Sequence, residues 1–154
     1  GIKKGIEPSK AMAELARKRG IEVLQGVAER LPFREKEFDF CLMVTTVCFL
    51  DDMDLAFKEV YRVLRPGGAF VIGFVDRESA LGREYQQKKD MSAFYREATF
   101  YSVEDITAHL KKAGFGSFKY RQALFKPLDE MEEIDQVMEG HGKGSFVVVQ
   151  ALKQ

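Results

Sequence analysis

The sequence predicts an α/β fold with a mostly parallel sheet. Short apolar runs alternate with stretches of helical periodicity, and this alternation is typical of strand–helix–strand units. The most apolar run, over 38–47, is rich in strand-forming residues and is expected to be covered on both faces. With 154 residues, of which 45% are hydrophobic and 31% charged, the chain has the size and composition of one domain spanning 1–154.

The first strand–helix unit can be placed from its boundaries. A strand is predicted to end at Ile6, and Glu7-Pro8-Ser9 is expected to open a helix with the proline in its first turn. Gly20 supplies the stop signal of that helix. A second strand is predicted over 21–25, and residues 26–33 leave it as a loop.

The central part of the chain predicts a strand, a helix and a strand. The strand over 38–47 is followed by Asp51-Asp52, after which apolar residues recur at helical spacing until Pro66-Gly67-Gly68. The stripe consists of Met53, Ala56, Phe57, Val60 and Leu64. A continuous apolar strand is then predicted over 69–75.

The second half is less regular at its beginning and clearer towards its end. Segment 76–100 is polar with weak periodicity, and we interpret it as a substrate or lid segment. Ser102-Val103-Glu104-Asp105 has the pattern of a capping box, and the helix that it begins is expected to end at Gly114. The last strands are predicted over 120–125 and 145–152.

Charge and composition argue against several kinds of partner. The 24 basic and 24 acidic residues cancel, so neither nucleic acid nor a membrane surface is expected as a partner. If Cys41 and Cys48 lie in one strand, they are about 20 Å apart, which predicts small buried thiols of a cytoplasmic protein. His109 and His141 have no Cys or His partner at ligand spacing, so no metal site is expected.

Candidate ligand-binding residues are sought after the predicted strands, because open α/β sheets bind ligands beyond the carboxyl ends of their strands. Three places qualify: Glu7, Val27-Ala28-Glu29 and Val44-Thr45-Thr46. An acid directly after a strand can accept both hydroxyls of a ribose. Glu7 fits that role, but it would equally favour the positive end of the helix that follows.

Several blocks of the sequence resemble one family in the same order and spacing. The blocks are Gly5 to Met12, Gly26 to Phe33 with its Leu-Pro-Phe ending, Phe38 to Phe40, Glu59 to Gly68 with its Arg-Pro-Gly-Gly ending, and Ser102 to Phe115. Together they resemble the UbiE-like class I S-adenosylmethionine-dependent methyltransferases. The resemblance implies a Rossmann-like fold with an antiparallel last strand and methyl transfer to a small-molecule acceptor, with S-adenosylhomocysteine as the second product.

The resemblance also implies cofactor-binding roles for particular residues. Glu7, beside Pro8, would hold the ribose hydroxyls; Ala28 and Glu29 would border the adenine; and residues 44–46, Val44, Thr45 and Thr46, would lie near the methionine part of the cofactor. Family members often carry Asp where this chain has Val27, so Glu29 or backbone atoms would have to accept from the adenine amino group.

The family begins with a strand and a Gly-x-Gly-x-Gly loop, and residue 1 starts after both of them. In the family that strand lies between the strand ending at Ile6 and the one over 38–47. We therefore expect these two not to pair, and the gap to be filled by a missing N-terminal segment, by a partner chain such as a second copy, or by a rearranged strand. Residues 140–144 are rich in glycine but open no helix, so they are interpreted as a flexible strand connection.

The catalytic residues are not identified by the sequence. In methyl transfer from a sulfonium the leaving group is already activated, so positioning the acceptor against the methyl group can supply much of the acceleration. A general base is therefore optional. Asp76, Glu78, Tyr85 and Tyr95 are candidate bases, because they follow the strand ending at Val75 or line segment 76–100. His109 is interpreted as a solvated side chain. Two alternatives stay open: a catalytically silent binding or scaffolding module, which the absent loop would favour, and an NAD-dependent dehydrogenase on fold alone.

Overall fold

A computed structural model describes residues 2–154 and contains seven strands and four helices in that range. In chain order they are β1 (Lys4–Ile6), α1 (Lys10–Lys18), β2 (Glu22–Leu24), β3 (Phe38–Val44), α2 (Met53–Val63), β4 (Leu64–Val75), α3 (Ala80–Gln87), α4 (Val103–Lys112), β5 (Phe115–Ala123), β6 (Met138–Glu139) and β7 (Phe146–Lys153). Short 3-10 turns occupy Val47–Phe49, Lys89–Met91 and Leu128–Glu130.

The strands form two sheets. Strands β1 and β2 pair in parallel, and the larger sheet has the order β3-β4-β7-β5-β6. Strand β3 is parallel to β4, whereas β7 lies antiparallel between β4 and β5. The α/β class and the antiparallel last strand are therefore confirmed. Within residues 2–154 no ladder joins β1 to β3, which confirms the prediction that these two strands are not hydrogen-bonded neighbours.

The core lies between the larger sheet and the helices α2 and α4. The predicted stripe of α2 is buried, and Phe57 meets Phe70 of β4 edge to face with 5.3 Å between the ring centroids. From α4, Ile106 and Leu110 are fully buried in the same cluster. Alternate residues of β7 complete it, as expected for a strand with one face on the core.

The expectation that strand 38–47 is covered on both faces is wrong. Met43 of β3 is buried, but Phe40, Leu42 and Val44 are 45%, 48% and 45% exposed. Successive side chains of a strand point to opposite faces, and here α2 and α4 cover only one of them. The strand also ends at Val44, because Thr45 takes a φ of 51° and the chain then enters a 3-10 turn.

Several helix boundaries follow local signals, and two differ from expectation. The capping box at Ser102 is present, with the Asp105 side chain accepting from the Ser102 N–H, and Gly114 follows α4 with a φ of 102°. Pro8 lies outside α1, because Ser9 is the N-cap and accepts from the backbone N–H of Met12.

Helix α2 ends at Val63, before the predicted Pro66-Gly67-Gly68 stop. The buried ammonium of Lys153 donates to the backbone oxygens of Tyr61 and Leu64 at 2.6 and 2.8 Å. Carbonyls in the last turn of a helix have no helical partner, so this lysine stabilises the end of α2. Leu64 is then free to begin β4, opposite Phe38 of β3.

Candidate functional site

A cavity of about 380 Å³ lies between the β1–β2 unit and β3. Seven of the eight residues that the sequence singled out for cofactor binding line it: Glu7, Pro8, Val27, Ala28, Glu29, Val44 and Thr46. The eighth, Thr45, lines a second cavity of about 120 Å³. The loops after β1, β2 and β3 thus meet at one edge of the fold, as expected when ligands bind beyond the carboxyl ends of parallel strands.

Glu7 stands directly after β1 and lines the larger cavity. Its backbone N–H donates to the carbonyl of Leu24 at 3.2 Å, which extends the β1–β2 ladder by one residue. One carboxylate oxygen accepts from the backbone N–H of Ser9 at 2.9 Å. The helix-start role is therefore present in the structure, and one oxygen of Glu7 is oriented by it while the side chain borders the cavity.

The loop after β2 is held against α2 by one ion pair, Glu59 with Arg62. The guanidinium of Arg62 makes a bidentate contact with the Glu59 carboxylate, at 2.7 and 2.8 Å. It also donates to the backbone oxygens of Leu31 and Phe33, at 3.0 and 2.8 Å. Glu59 in turn accepts from the Leu31 N–H at 2.8 Å, and the contact with Arg62 lowers the pKa of the Glu59 carboxyl. This clamp fixes the wall of the larger cavity.

Glu29 connects the same loop to the loop after β3. One of its carboxylate oxygens accepts from the backbone N–H groups of Asp51 and Asp52, at 3.0 and 3.3 Å. That oxygen is therefore occupied, and Asp51 itself lines the larger cavity beside Glu29. No single position of the sequence pointed to Asp51, because its place at the cavity follows from the turn at Val47–Phe49.

The residues at the end of β3 line both cavities. Val44 and Thr46 line the larger cavity and Thr45 the smaller one. Thr45 has a φ of 51°, a left-handed conformation that costs a β-branched residue about 1–3 kcal/mol. Its N–H donates to the Gly73 carbonyl of β4 at 2.8 Å, which holds the reversal in place. The hydroxyls of both threonines donate back to the carbonyl of Val44.

Aromatic side chains of segment 76–100 and its neighbours wall the smaller cavity. Tyr85 comes from α3 and stacks on Tyr95, with 4.8 Å between the centroids and an interplanar angle of 27°. Phe94 meets Tyr95 edge to face at 5.0 Å, and Phe100 lies 5.7 Å from the same ring. Cys48 also lines this cavity, and its carbonyl accepts from the Thr99 N–H at 2.8 Å.

The candidate bases separate into two groups. Tyr85 and Tyr95 line the smaller cavity, whereas Asp76 and Glu78 line neither of the two cavities. Asp76 is buried and accepts from the backbone N–H of Glu78 at 3.0 Å, and burial raises the pKa of its carboxyl. Burial also raises the pKa of Tyr95, so its phenol stays protonated at neutral pH.

His109 is not simply solvated. Its Nδ1 lies 2.6 Å from a carboxylate oxygen of Asp54, and Lys112 contacts the other oxygen of the same carboxylate. The hydrogen bond with Lys112, and to a lesser extent the one with His109, lowers the pKa of the Asp54 carboxyl to about 2. The three residues tie α4 to α2 and line neither of the two cavities, so their arrangement is structural.

Both cysteines are free thiols, and burial raises the pKa of Cys41 to about 11 and also raises the pKa of Cys48. Neither is a thiolate at neutral pH. Over the part of the chain that the structure describes, no cluster of three or more His, Cys, Asp or Glu residues could hold a metal ion. Over the same residues, no helix is long and apolar enough to cross a membrane.

A cavity across the carboxyl ends of parallel strands, bordered by an acid directly after β1, is the arrangement of an α/β domain that binds a nucleotide-like cofactor. The methyltransferase domain family matches residues 3–72. A solved structure from Thermotoga maritima, described as an S-adenosylmethionine-dependent methyltransferase and possible histamine N-methyltransferase, is 53% identical, with a TM-score of 0.97. This chain therefore belongs to the class I S-adenosylmethionine-dependent methyltransferases.

Two further relatives show how much of a longer protein the chain spans. An uncharacterized protein of Methanocaldococcus jannaschii is 42% identical over 152 residues, a match that covers 99% of this chain and 74% of that protein. A demethylmenaquinone methyltransferase of Lactococcus lactis is 27% identical over 156 residues, with 97% of this chain and 57% of that protein covered. The Thermotoga match covers 99% of this chain and 73% of its counterpart.

Proposed function

We propose that this chain holds S-adenosylmethionine in the larger cavity and passes its methyl group to a small-molecule acceptor in the smaller one. The observation that carries the proposal is the position of residues 44–46. Val44 and Thr46 face one cavity and Thr45 the other, so a ligand in each would meet at this point. In-line displacement at a sulfonium methyl needs such a meeting, with the reacting atoms about 3–3.5 Å apart.

Different residues around the larger cavity would contact different parts of the cofactor. The carboxylate of Glu7 would accept from the ribose hydroxyls, with its orientation set by the Ser9 amide. Val27 and Ala28 offer an apolar surface to the adenine. Because one oxygen of Glu29 is taken by the amides of Asp51 and Asp52, the adenine amino group would have to find its acceptor in the other oxygen or in the backbone.

We also propose that one more strand lies between β1 and β3 in the active protein. Each of these strands pairs on one side only within residues 2–154, and both border the larger cavity. Unpaired backbone groups along a strand edge are a template for another strand, so a strand paired with both edges would be stabilising. A segment preceding β1 in the chain is the simplest source, and a second copy of the chain is the other.

Calorimetric titration with S-adenosylhomocysteine tests the assignment, on the chain alone and on a version extended by a strand and a glycine-rich loop. In the extended version Glu7→Gln should lower the affinity roughly ten- to a hundredfold, because hydrogen bonds to a charged group contribute about 1.5–3 kcal/mol. Glu14→Gln, an exposed carboxylate on α1 outside both cavities, serves as the control. Equal affinities for the two variants would refute the role of Glu7, and cofactor binding without methyl transfer to any acceptor would favour a silent binding module.

A further inference from the structure

We propose that the acceptor is a compact alkylated amine, whose nitrogen sits among the aromatic rings of the smaller cavity and leaves as a quaternary ammonium ion. This proposal rests on the proposed function and adds the chemical class of the acceptor. The aromatic cage, as we name it, consists of Tyr85, Phe94, Tyr95, Phe100 and Tyr101.

The rings of the cage pack on one another and also line the cavity. The centroid of Tyr95 lies 4.8 Å from that of Tyr85, 5.0 Å from that of Phe94 and 5.7 Å from that of Phe100. The space that they line is small, so the group that enters it has to be compact. The volume of about 120 Å³ is slightly below that of a cavity that accepts benzene, about 150 Å³.

The charges around the cage decide which chemistry it accepts. Among the described residues, no Asp, Glu, His, Lys or Arg lines the smaller cavity. A carboxylate acceptor would find no cation there, and a hydroxyl acceptor would find no ionised base, since the phenol of Tyr95 stays protonated. The faces of aromatic rings instead attract positive charge, by about 0.5–2 kcal/mol for each well-placed ring. The lining therefore favours a reaction that delivers positive charge into the cavity.

Methylation of a tertiary amine is such a reaction. The nitrogen lone pair forms the new bond to the methyl carbon, and the carbon–sulfur bond breaks with its electron pair kept by sulfur. The positive charge passes from the sulfonium to the nitrogen, the cofactor becomes a neutral thioether, and no proton is released. A protonated amine would need an acceptor for its N–H after leaving water, whereas the neutral amine and the quaternary product have no N–H to satisfy.

Thr45 places this cage against the cofactor. It is the residue of segment 44–46 that lines the smaller cavity, and Val44 and Thr46 line the larger one. The Thr99 N–H, bonded to the carbonyl of Cys48, joins the aromatic segment to the same turn. The cage and the end of β3 are therefore one connected structure, and the nitrogen would meet the methyl donor beside Thr45, where residues of the two linings adjoin in the chain.

The test compares two ligands of the same shape that differ in charge: choline, with a trimethylammonium head, and 3,3-dimethylbutan-1-ol, with a tert-butyl head. NMR titration of the chain without cofactor should show choline binding at least about tenfold more tightly, as several ring faces predict. Tyr95→Leu should lower that preference severalfold and Tyr95→Phe should keep it, because the ring face and not the hydroxyl attracts the cation. Equal binding of the two ligands, or a preference that Tyr95→Leu leaves unchanged, would overturn the proposal.

Folding and cofactor binding are controlled separately. Phe94 is 67% exposed, so Phe94→Leu should leave the unfolding temperature unchanged and still weaken choline binding. Met91, 79% exposed in the same segment and outside the cage, gives the control Met91→Leu, which should bind choline normally. If S-adenosylhomocysteine binds but choline does not, the acceptor class is wrong and the methyltransferase assignment stands. If choline binds but S-adenosylhomocysteine does not, the cofactor site is refuted and the aromatic cage stands.

Discussion

Removing the guanidinium of Arg62 should destabilise the fold by releasing the loop after β2. In Arg62→Met the backbone oxygens of Leu31 and Phe33 lose their donor, and the carboxylate of Glu59 loses its bidentate partner. Charge-assisted hydrogen bonds contribute about 1.5–3 kcal/mol each when buried, and exposure reduces this. The Arg62 side chain is 36% exposed and that of Glu59 18%, so we expect a total loss of about 2–4 kcal/mol.

Urea unfolding, followed by circular dichroism, measures this loss. The matched control is Arg65→Met, which removes the exposed pair with Asp39, whose side chains are 49% and 80% exposed. Such surface pairs contribute at most about 1 kcal/mol. Arg62→Lys should lie in between, because an ammonium keeps the charge but not the planar fork that meets two carbonyls and a carboxylate. If Arg62→Met and Arg65→Met lower the free energy of unfolding equally, the clamp does not hold the loop.

Three further predictions concern strain, pH and mobility. Thr46→Gly should destabilise the chain by about 1 kcal/mol, whereas Thr45→Gly should be nearly neutral, since of the two threonines only Thr45 has a left-handed φ, which glycine adopts easily. If thermal unfolding shows that both variants lose the same stability, the backbone at Thr45 is not strained. Lys112 and His109 lower the pKa of Asp54 to about 2, so its carboxylate stabilises the fold above about pH 4 and ceases to do so as the pH falls through about 2. The difference in free energy of unfolding between wild type and Asp54→Asn should therefore become smaller between about pH 4 and pH 2. A difference that stays constant down to pH 2 would refute the pairing. In hydrogen exchange, amides of 85–95 should exchange faster than those of 71–74, and equal protection would contradict a mobile lid.

The sequence predicted those parts of the fold that depend on local signals. The capping box at Ser102, the stop at Gly114 and the stripe of α2 each lie within a few neighbouring residues, and each is present. The residue at which α2 ends was predicted only approximately, since Pro66 lies two residues beyond the C-cap, Leu64. The contacts of the Lys153 ammonium with the carbonyls of Tyr61 and Leu64 were not predictable, because Lys153 lies about ninety residues further along the chain.

The site was predictable where it follows the ends of strands, and not where it depends on distant packing. Glu7, residues 27–29 and residues 44–46 came from the rule that parallel strands gather ligands at their carboxyl ends. For the Glu59–Arg62 clamp the sequence contains one indication: the two residues stand three apart on a helix, and oppositely charged pairs at that spacing interact. For the aromatic cage the sequence indicated the segment, 76–100, and two of its residues, Tyr85 and Tyr95. It did not indicate how the rings pack, because that depends on the fold of an irregular segment.

The proposed strand between β1 and β3 also bears on where the cofactor would lie in the larger cavity. That cavity extends along both strands, from Lys4 and Phe38 at one end to Glu7 and Thr46 at the other. A strand paired with both neighbours would occupy the part beside the ladders, because paired strands lie about 4.8 Å apart. The space left for a ligand is then at the carboxyl ends, where Glu7, residues 27–29 and Thr46 converge. Completing the sheet would thus confine the cofactor to the end of the cavity that adjoins Thr45 and the aromatic cage, which is where methyl transfer requires it.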